Sequence, residues 1–188
     1  DYVVCSGGDG TMNEVANGMM RLHEKPICGY IPAGTVNDFA SSLRIPKVMR
    51  HAAELVTQGK VFRCDLGSFN DKFFTYVAGF GAFTEVSYTT PQEWKNMLGK
   101  TAYFIEGLKH LAEIKPHHMR ITYDEGVVED DFVLGLVSNS VSVAGYKAYK
   151  KEDIKMDDGL FEVLFIRDLK NALELQEVLN ALLTKHLD

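Results

Sequence analysis

Nowhere in the 188 residues do apolar side chains run on for the ~20 positions that a membrane-spanning helix needs. Cysteine is scarce and scattered: Cys5, Cys28 and Cys64 are the only three, and no two form a Cys-x-x-Cys pair. That excludes a disulfide framework and a thiolate metal site, and it leaves reduced core thiols of a cytoplasmic protein. Positive charge is in deficit, with 20 Lys and Arg against 26 Asp and Glu and a formal net charge of −6. Nucleic acid is thereby excluded as a main partner, because a phosphate backbone is met by clustered Lys and Arg. The six histidines show no ligand spacing, and the adjacent His117 and His118 on a predicted strand point to opposite faces. Repeats and low-complexity tracts are missing too.

What is present is an ordinary globular composition, 46% hydrophobic and 24% charged, long enough for one large domain or two small ones. The sequence opens directly on a strand-like run from Tyr2 to Cys5 and closes in a helical pattern from Ala181 to Asp188, so it reads as a segment of a longer protein.

The first third alternates strand and helix. Tyr2 to Cys5 and Ile27 to Ile31 read as buried strands, with helices predicted over about Met12 to His23, Val36 to Leu43, and from Ile45 to a stop at Gly59. The third carries Val48, Ala52, Leu55 and Val56 on one face. This order is the grammar of a parallel sheet with crossover helices. From Lys60 the character turns to antiparallel strands: Val61 to Phe69 and Phe73 to Ala78 about an Asn70-Asp71-Lys72 turn, Met119 to Tyr123 and Asp131 to Ser138 about Asp124-Glu125-Gly126, and Leu160 to Ile166. Helices are predicted over Lys100 to Ile114 and Asn171 to Leu187. A domain division is placed at residue 59.

Gly7-Gly8-Asp9-Gly10-Thr11 lies between a strand and a helix. Glycines there permit φ > 0 and bring bare N–H groups close to a ligand. Thr11 and Glu14 have capping-box spacing, which would aim the positive end of the helix at an anion. Asp9 is out of place beside phosphate unless a Mg²⁺ screens it. A plain strand-ending turn would account for the glycines as well. A second loop, Gly34-Thr35-Val36-Asn37-Asp38, also follows a strand and opens a helix, with Thr35 and Asp38 at cap spacing. Consecutive parallel strands put both loops on one carboxyl edge, where open α/β sheets bind ligands.

These two loops, with Asn13-Glu14 and the continuation Pro32-Ala33-Gly34-Thr35-Val36-Asn37-Asp38-Phe39-Ala40, resemble the catalytic domain of the diacylglycerol kinase family. The first motif is shared with NAD kinases and phosphofructokinases; the second is more particular to lipid kinases. The resemblance runs on through Ala78 to Gly81, Leu98 to Tyr103, Val137 to Ser140 and Asp157 to Val163. It implies an α/β fold with two parts: an ATP-binding domain over 1–59 and, over 60–188, an antiparallel β-sandwich domain with added helices that shapes a lipid site, each incomplete. It further implies ATP phosphates on Gly7, Gly8, Asp9, Gly10, Thr11, Met12 and Asn13 with Thr35 assisting, and Asp9 organising Mg²⁺-ATP. A structural Mg²⁺ would be held by the Asp158 carboxylate and the carbonyls of Lys155 and Leu160. An acidic turn explains Asp157-Asp158-Gly159 without any metal.

Two departures accompany the resemblance. The family's earlier strand with its Asn-Pro phosphate loop is absent, as is the Asp-Gly-Glu motif that supplies its general base. The implied activity is phosphoryl transfer from ATP to the hydroxyl of a membrane lipid, diacylglycerol to phosphatidic acid, with the 188 residues alone inactive. An NAD kinase-like enzyme and a catalytically silent nucleotide- or lipid-binding module are the alternatives. Peripheral contact with the inner face of the membrane goes with the lipid reading, and a homodimer is compatible with it. Gly79 and Gly81 are expected to allow close approach between the two domains or to mark a bulge, and Trp94 to lie at a core edge. The run Tyr146-Lys147-Ala148-Tyr149-Lys150-Lys151 is either a solvated loop or a membrane-docking patch.

Overall fold

The computed structural model describes residues 1–81, 114–143 and 154–184. The helix expected over Lys100 to Ile114 (all but its last residue), Trp94 and the lysine-rich run after Gly145 lie outside them. The elements are β1 (Tyr2–Gly7), α1 (Asp9–Met20), β2 (Ile27–Pro32), α2 (Asp38–Ser42), α3 (Met49–Gln58), β3 (Gly67–Phe69), β4 (Lys72–Phe74), β5 (Val77–Gly81), β6 (His117–Tyr123), β7 (Gly126–Ser138), β8 (Glu162–Arg167) and α4 (Ala172–Thr184). The expected α/β class, parallel strands first and antiparallel sheet after, is what the structure has. The described residues gather into two compact units, Asp1–Ala78 with Ser138–Glu162, and Gly79–Val137 with Val163–Asp188. The first unit thus continues beyond residue 59 and takes in a later segment.

In the first unit β1 and β2 pair in parallel from Tyr2 opposite Ile27 to Gly7 opposite Pro32. Cys5, Met12, Ala16, Tyr30, Phe39, Ala40 and Met156 form its core, with Cys28 and Cys64 packed against it. Burial pushes the Cys28 thiol up to about 11, with Cys5 and Cys64 adding to the rise, so these thiols stay protonated at neutral pH. α3 lies close on β2, since a Cβ on Gly29 would stand 2.5 Å from Val56 Cγ1. Its apolar stripe is narrower than expected. Ala52 and Val56, one turn apart, face inward, whereas Val48 and Leu55 are exposed. α1 is fastened to β4 by two asparagines one turn apart. Asn17 both accepts from Phe73 N and donates to Phe73 O, and Asn13 Oδ1 accepts from Thr75 N.

The strand expected from Val61 is shorter than the β-rich run suggested. Only Gly67–Phe69 pairs, while Val61 and Phe62 are exposed. The turn at Asn70 is as expected, with Asn70 in the left-handed region that asparagine tolerates.

In the second unit β6 and β7 form an antiparallel hairpin closed by Asp124 and Glu125, and β7 also pairs with β5 and β8. Phe132, Val133 and Leu134 are fully buried, and the Phe165 ring stacks at 5.3 Å from Phe132 and 6.2 Å from Phe80. Gly79 and Gly81 serve this sheet. A Cβ on Gly79 would meet Gly135 O at 2.9 Å, and Gly81, at φ +78°, would meet Val133 O at 2.1 Å. The two histidines separate as strand alternation requires: His117 packs edge-on to Phe80, and His118 turns outward to Asp131 and Glu129.

Candidate active site

The carboxyl ends of β1 and β2 carry the two glycine loops, and the parallel register makes them touch. Ala33 N donates to Gly7 O at 2.8 Å. A Cβ on Gly34 would lie 2.5 Å from Gly8 Cα, and one on Gly8 would lie 3.2 Å from Gly34 Cα. Backbone crosses backbone there, so a side chain at Gly34 has no space, and one at Gly8 fits only if the neighbouring loop gives way.

Both expected caps are corrected by the structure. α1 begins at Asp9 with extended Gly8 as its N-cap, and no side chain caps it. The glycine lets the helix start two residues before Thr11, so Thr11 falls inside the first turn. Its side chain instead fills the space beside Gly7, where a Cβ would stand 2.5 Å from Thr11 Oγ1. In the second loop Asn37, not Thr35, is the N-cap residue, and it sits in the left-handed region at φ 56°, ψ 51°. The Asn37 amide closes the loop on itself, accepting from Gly34 N at 2.9 Å and donating to Gly34 O at 2.6 Å. The free N–H groups of α2 are met by Asp9. Its two carboxylate oxygens accept from Asp38 N at 3.1 Å and Phe39 N at 3.0 Å. The carboxylate that looked out of place beside phosphate therefore has a second charge partner, the positive end of the neighbouring helix.

Two tyrosines line the same region. Tyr30 donates to Gly7 O at 3.2 Å, and burial with the nearby Asp9 pushes its phenol far up. Tyr76 is pushed up to about 12 by burial first, then by Asp9 and Asp38. Neither ionises near neutral pH. Beside the second loop lies a cavity of about 330 Å³ bounded by Pro32 to Asn37, Lys47 and Met49. Lys47 and Met49 follow α2 in an unremarkable Ile-Pro-Lys-Val-Met run, and nothing in their spacing marked them.

Of the residues expected to hold phosphate, Gly7, Gly8, Asp9, Gly10 and Thr11 are gathered at one strand end with Thr35 on the adjoining loop. Met12 is buried in the core, and Asn13 spends its side-chain oxygen on Thr75 N. Either reaches a ligand only with what remains.

The acidic turn is a separate feature. Gly159, at φ +77°, donates to Asp65 Oδ2 at 2.7 Å, and Leu160 N donates to Asp158 Oδ1 at 3.1 Å. Asn139 Nδ2 bridges the carbonyls of Asp65 and Met156. Among the described residues no group of three or more His, Cys, Asp and Glu side chains converges as a metal site. The set expected from resemblance is of another kind, one carboxylate with two carbonyls. Such hard oxygens suit Mg²⁺, and Glu162 Oε2 is a buried oxygen with no hydrogen-bond partner, its carboxyl raised by burial and then by Asp158.

The comparisons with known proteins fall on the same residues. The model of the diacylglycerol kinase catalytic domain matches residues 1–69, which contain both loops. The chain is 36% identical over 179 residues to a diacylglycerol kinase of Staphylococcus saprophyticus, covering 95% of this chain and 58% of that one. Against a diacylglycerol kinase of Bacillus subtilis it is 35% identical over 189 residues, covering 100% and 62%. A crystal structure of a diacylglycerol kinase from Bacillus anthracis superposes with a TM-score of 0.76 at 30% identity, covering 100% of this chain and 60% of that one. The chain thus spans about three fifths of the length of these relatives. The resemblance read from Gly7 to Asn13 and Pro32 to Ala40 is borne out.

Proposed function

We propose that the protein is an ATP-dependent lipid kinase that phosphorylates the hydroxyl of a membrane lipid, converting diacylglycerol to phosphatidic acid. The observation that carries this reading is the contact of the two glycine loops, Gly8 against Gly34, at one carboxyl edge. The match of residues 1–69 to the diacylglycerol kinase catalytic domain and the likeness to the relatives named above support it. ATP is the donor. Its phosphates lie over Gly7 to Thr11, where backbone N–H groups at the start of α1 face the ligand, with Thr35 across the contact.

Phosphoryl transfer of this kind rests on positioning and charge neutralisation. Asp9 does the positioning on the protein side: by holding the N–H groups of Asp38 and Phe39 it locks the second loop against the first. Mg²⁺ supplies charge neutralisation when bound, Asp9 being the carboxylate nearest the phosphate loop. A second, structural Mg²⁺ would be held by Asp158 with the carbonyls of Lys155 and Leu160. In functional terms residues 1–59 bind the nucleotide and 60–188 shape the lipid site. Among the described residues no helix is long and apolar enough to cross a membrane. The lipid is met at the surface of the inner leaflet, with Lys147, Lys150 and Lys151 as the docking charges, by a protein that pairs as a homodimer.

The test is incubation of the protein, in its natural length, with ATP and an extracted lipid mixture, followed by identification of the phosphorylated product. Phosphatidic acid supports the reading, and a phosphorylated NAD would replace it.

A further inference from the structure

The last residue of β7 and the segment after it supply three serines and an asparagine, Ser138, Asn139, Ser140 and Ser142, all buried. Buried hydroxyls in such number are costly unless each is used. Ser138 Oγ reaches the Glu162 carbonyl and Asn139 the carbonyls of Asp65 and Met156, whereas Ser140 and Ser142 are used on α2. Ser142 Oγ donates to Asp38 Oδ1 at 2.6 Å, and Ser140 Oγ donates to the Ser142 carbonyl at 2.7 Å. The Ser42 and Ser140 hydroxyl oxygens are 2.9 Å apart, and Ser42 Oγ also donates within its own helix to the Asp38 carbonyl at 3.0 Å. Val141 N donates back to Ser42 Oγ at 3.2 Å, and Ser142 N to Ser140 Oγ at 3.2 Å. The result is a closed ladder between residues about a hundred positions apart in the chain, both rails in the same compact unit.

Asp38 is the residue through which the ladder meets the second glycine loop. It is 3% exposed, follows the left-handed Asn37, and its own N–H is held by Asp9. The loop from Gly34 to Asp38 is therefore pinned at two points. Asp9 holds its backbone from the first loop, and Ser142 holds its carboxylate from the far side.

We infer that Ser142 is a positioning residue for nucleotide binding, its hydroxyl fixing Asp38 and so holding the second glycine loop against the first. This rests on the nucleotide reading of the site. A short hydrogen bond to a carboxylate is among the stronger kinds, and the bond exists only while the loop is assembled. Removing it weakens the assembled state and leaves untouched a detached loop whose carboxylate is in water. ATP binds the assembled state, so its apparent affinity falls with the population of that state.

The experiment is a titration of the natural-length protein and of Ser142→Ala with Mg²⁺-ATP, with melting temperatures recorded with and without nucleotide. The expected result is an ATP dissociation constant raised about tenfold, from the loss of one charge-assisted hydrogen bond, and restored by Ser142→Thr, which keeps the hydroxyl. At saturating ATP the turnover of Ser142→Ala stays within about twofold of the unchanged protein, because bound nucleotide reassembles the loop. A bond that served only the fold would lower the melting temperature and leave the dissociation constant unchanged, which overturns the inference. Should Ser142→Ala not fold, Ser142→Cys, close in size and a weak donor, is measured against the same criterion. The two readings separate in the unchanged protein. ATP binding without lipid phosphorylation refutes the kinase and leaves the ladder to be judged by the titration, whereas no ATP binding at all refutes both.

Discussion

Replacing Asp9 by Ala removes both partners of the α2 N–H groups at once. The two bonds, 3.1 and 3.0 Å long, involve a charged acceptor in a partly buried setting. At the lower end of the range for such bonds they contribute about 3 kcal/mol together, a large part of the ~5–15 kcal/mol that holds an ordinary protein folded. In a chain of this length that loss lowers the melting temperature by roughly 6–12 °C. The second loop is freed from the first, and phosphoryl transfer by the natural-length protein falls by at least about a hundredfold. Asp9→Asn keeps one acceptor oxygen and falls between the two. A third readout is independent of activity. Asp9 is the second cause, after burial, that pushes Tyr76 up to about 12, so its removal lets the phenol ionise at lower pH, visible in an NMR pH titration. Near-normal turnover in Asp9→Ala, with melting and Tyr76 titration unmoved, would refute the reasoning.

Gly34→Ala puts a methyl 2.5 Å from Gly8 Cα and should cost roughly 1–3 kcal/mol and most of the ATP affinity, checked by thermal melting and nucleotide titration. Asn17→Ala strips both bonds from the Phe73 backbone and should destabilise by about 1–3 kcal/mol without changing ATP affinity, checked by denaturant unfolding. The Cys28 thiol is raised from an ordinary value of 9.0 to about 11, so the folded state holds this proton more tightly than the unfolded chain. Its stabilising contribution is present below pH 9 and lost as pH rises from there through 11, so the alkaline decline in melting temperature should be shallower in Cys28→Val. Lys147, Lys150 and Lys151 changed together to Gln should weaken binding to anionic vesicles, each charge contributing ~1 kcal/mol at low salt; unchanged binding would remove the patch from the account.

Both glycine loops were legible in the sequence because backbone crowding leaves little choice: where Gly8 and Gly34 meet, the loops tolerate almost nothing larger, and the need shows in the residue type. The parallel pair was equally legible from its apolar runs and spacing. The caps were misread because capping depends on which residue starts the helix. Glycine at Gly8 allows an earlier start that pattern alone does not reveal, and the cap of α2 comes from Asp9 about thirty residues away. The serine ladder was out of reach for the same reason. Ser42 and Ser142 are ordinary residues in sequence and acquire meaning only when the segment after β7 folds back on α2. Val61 and Phe62 misled in the other direction, since β-propensity without a partner strand gives no strand.

The most direct test supplies the natural-length protein with radiolabelled ATP, Mg²⁺ and vesicles containing diacylglycerol, with NAD as a competing acceptor, and resolves the products. The account predicts label in phosphatidic acid, none in NAD, and loss of the lipid product in Asp9→Ala. Label in NAD, or no ATP-dependent product in lipid at all, would contradict it.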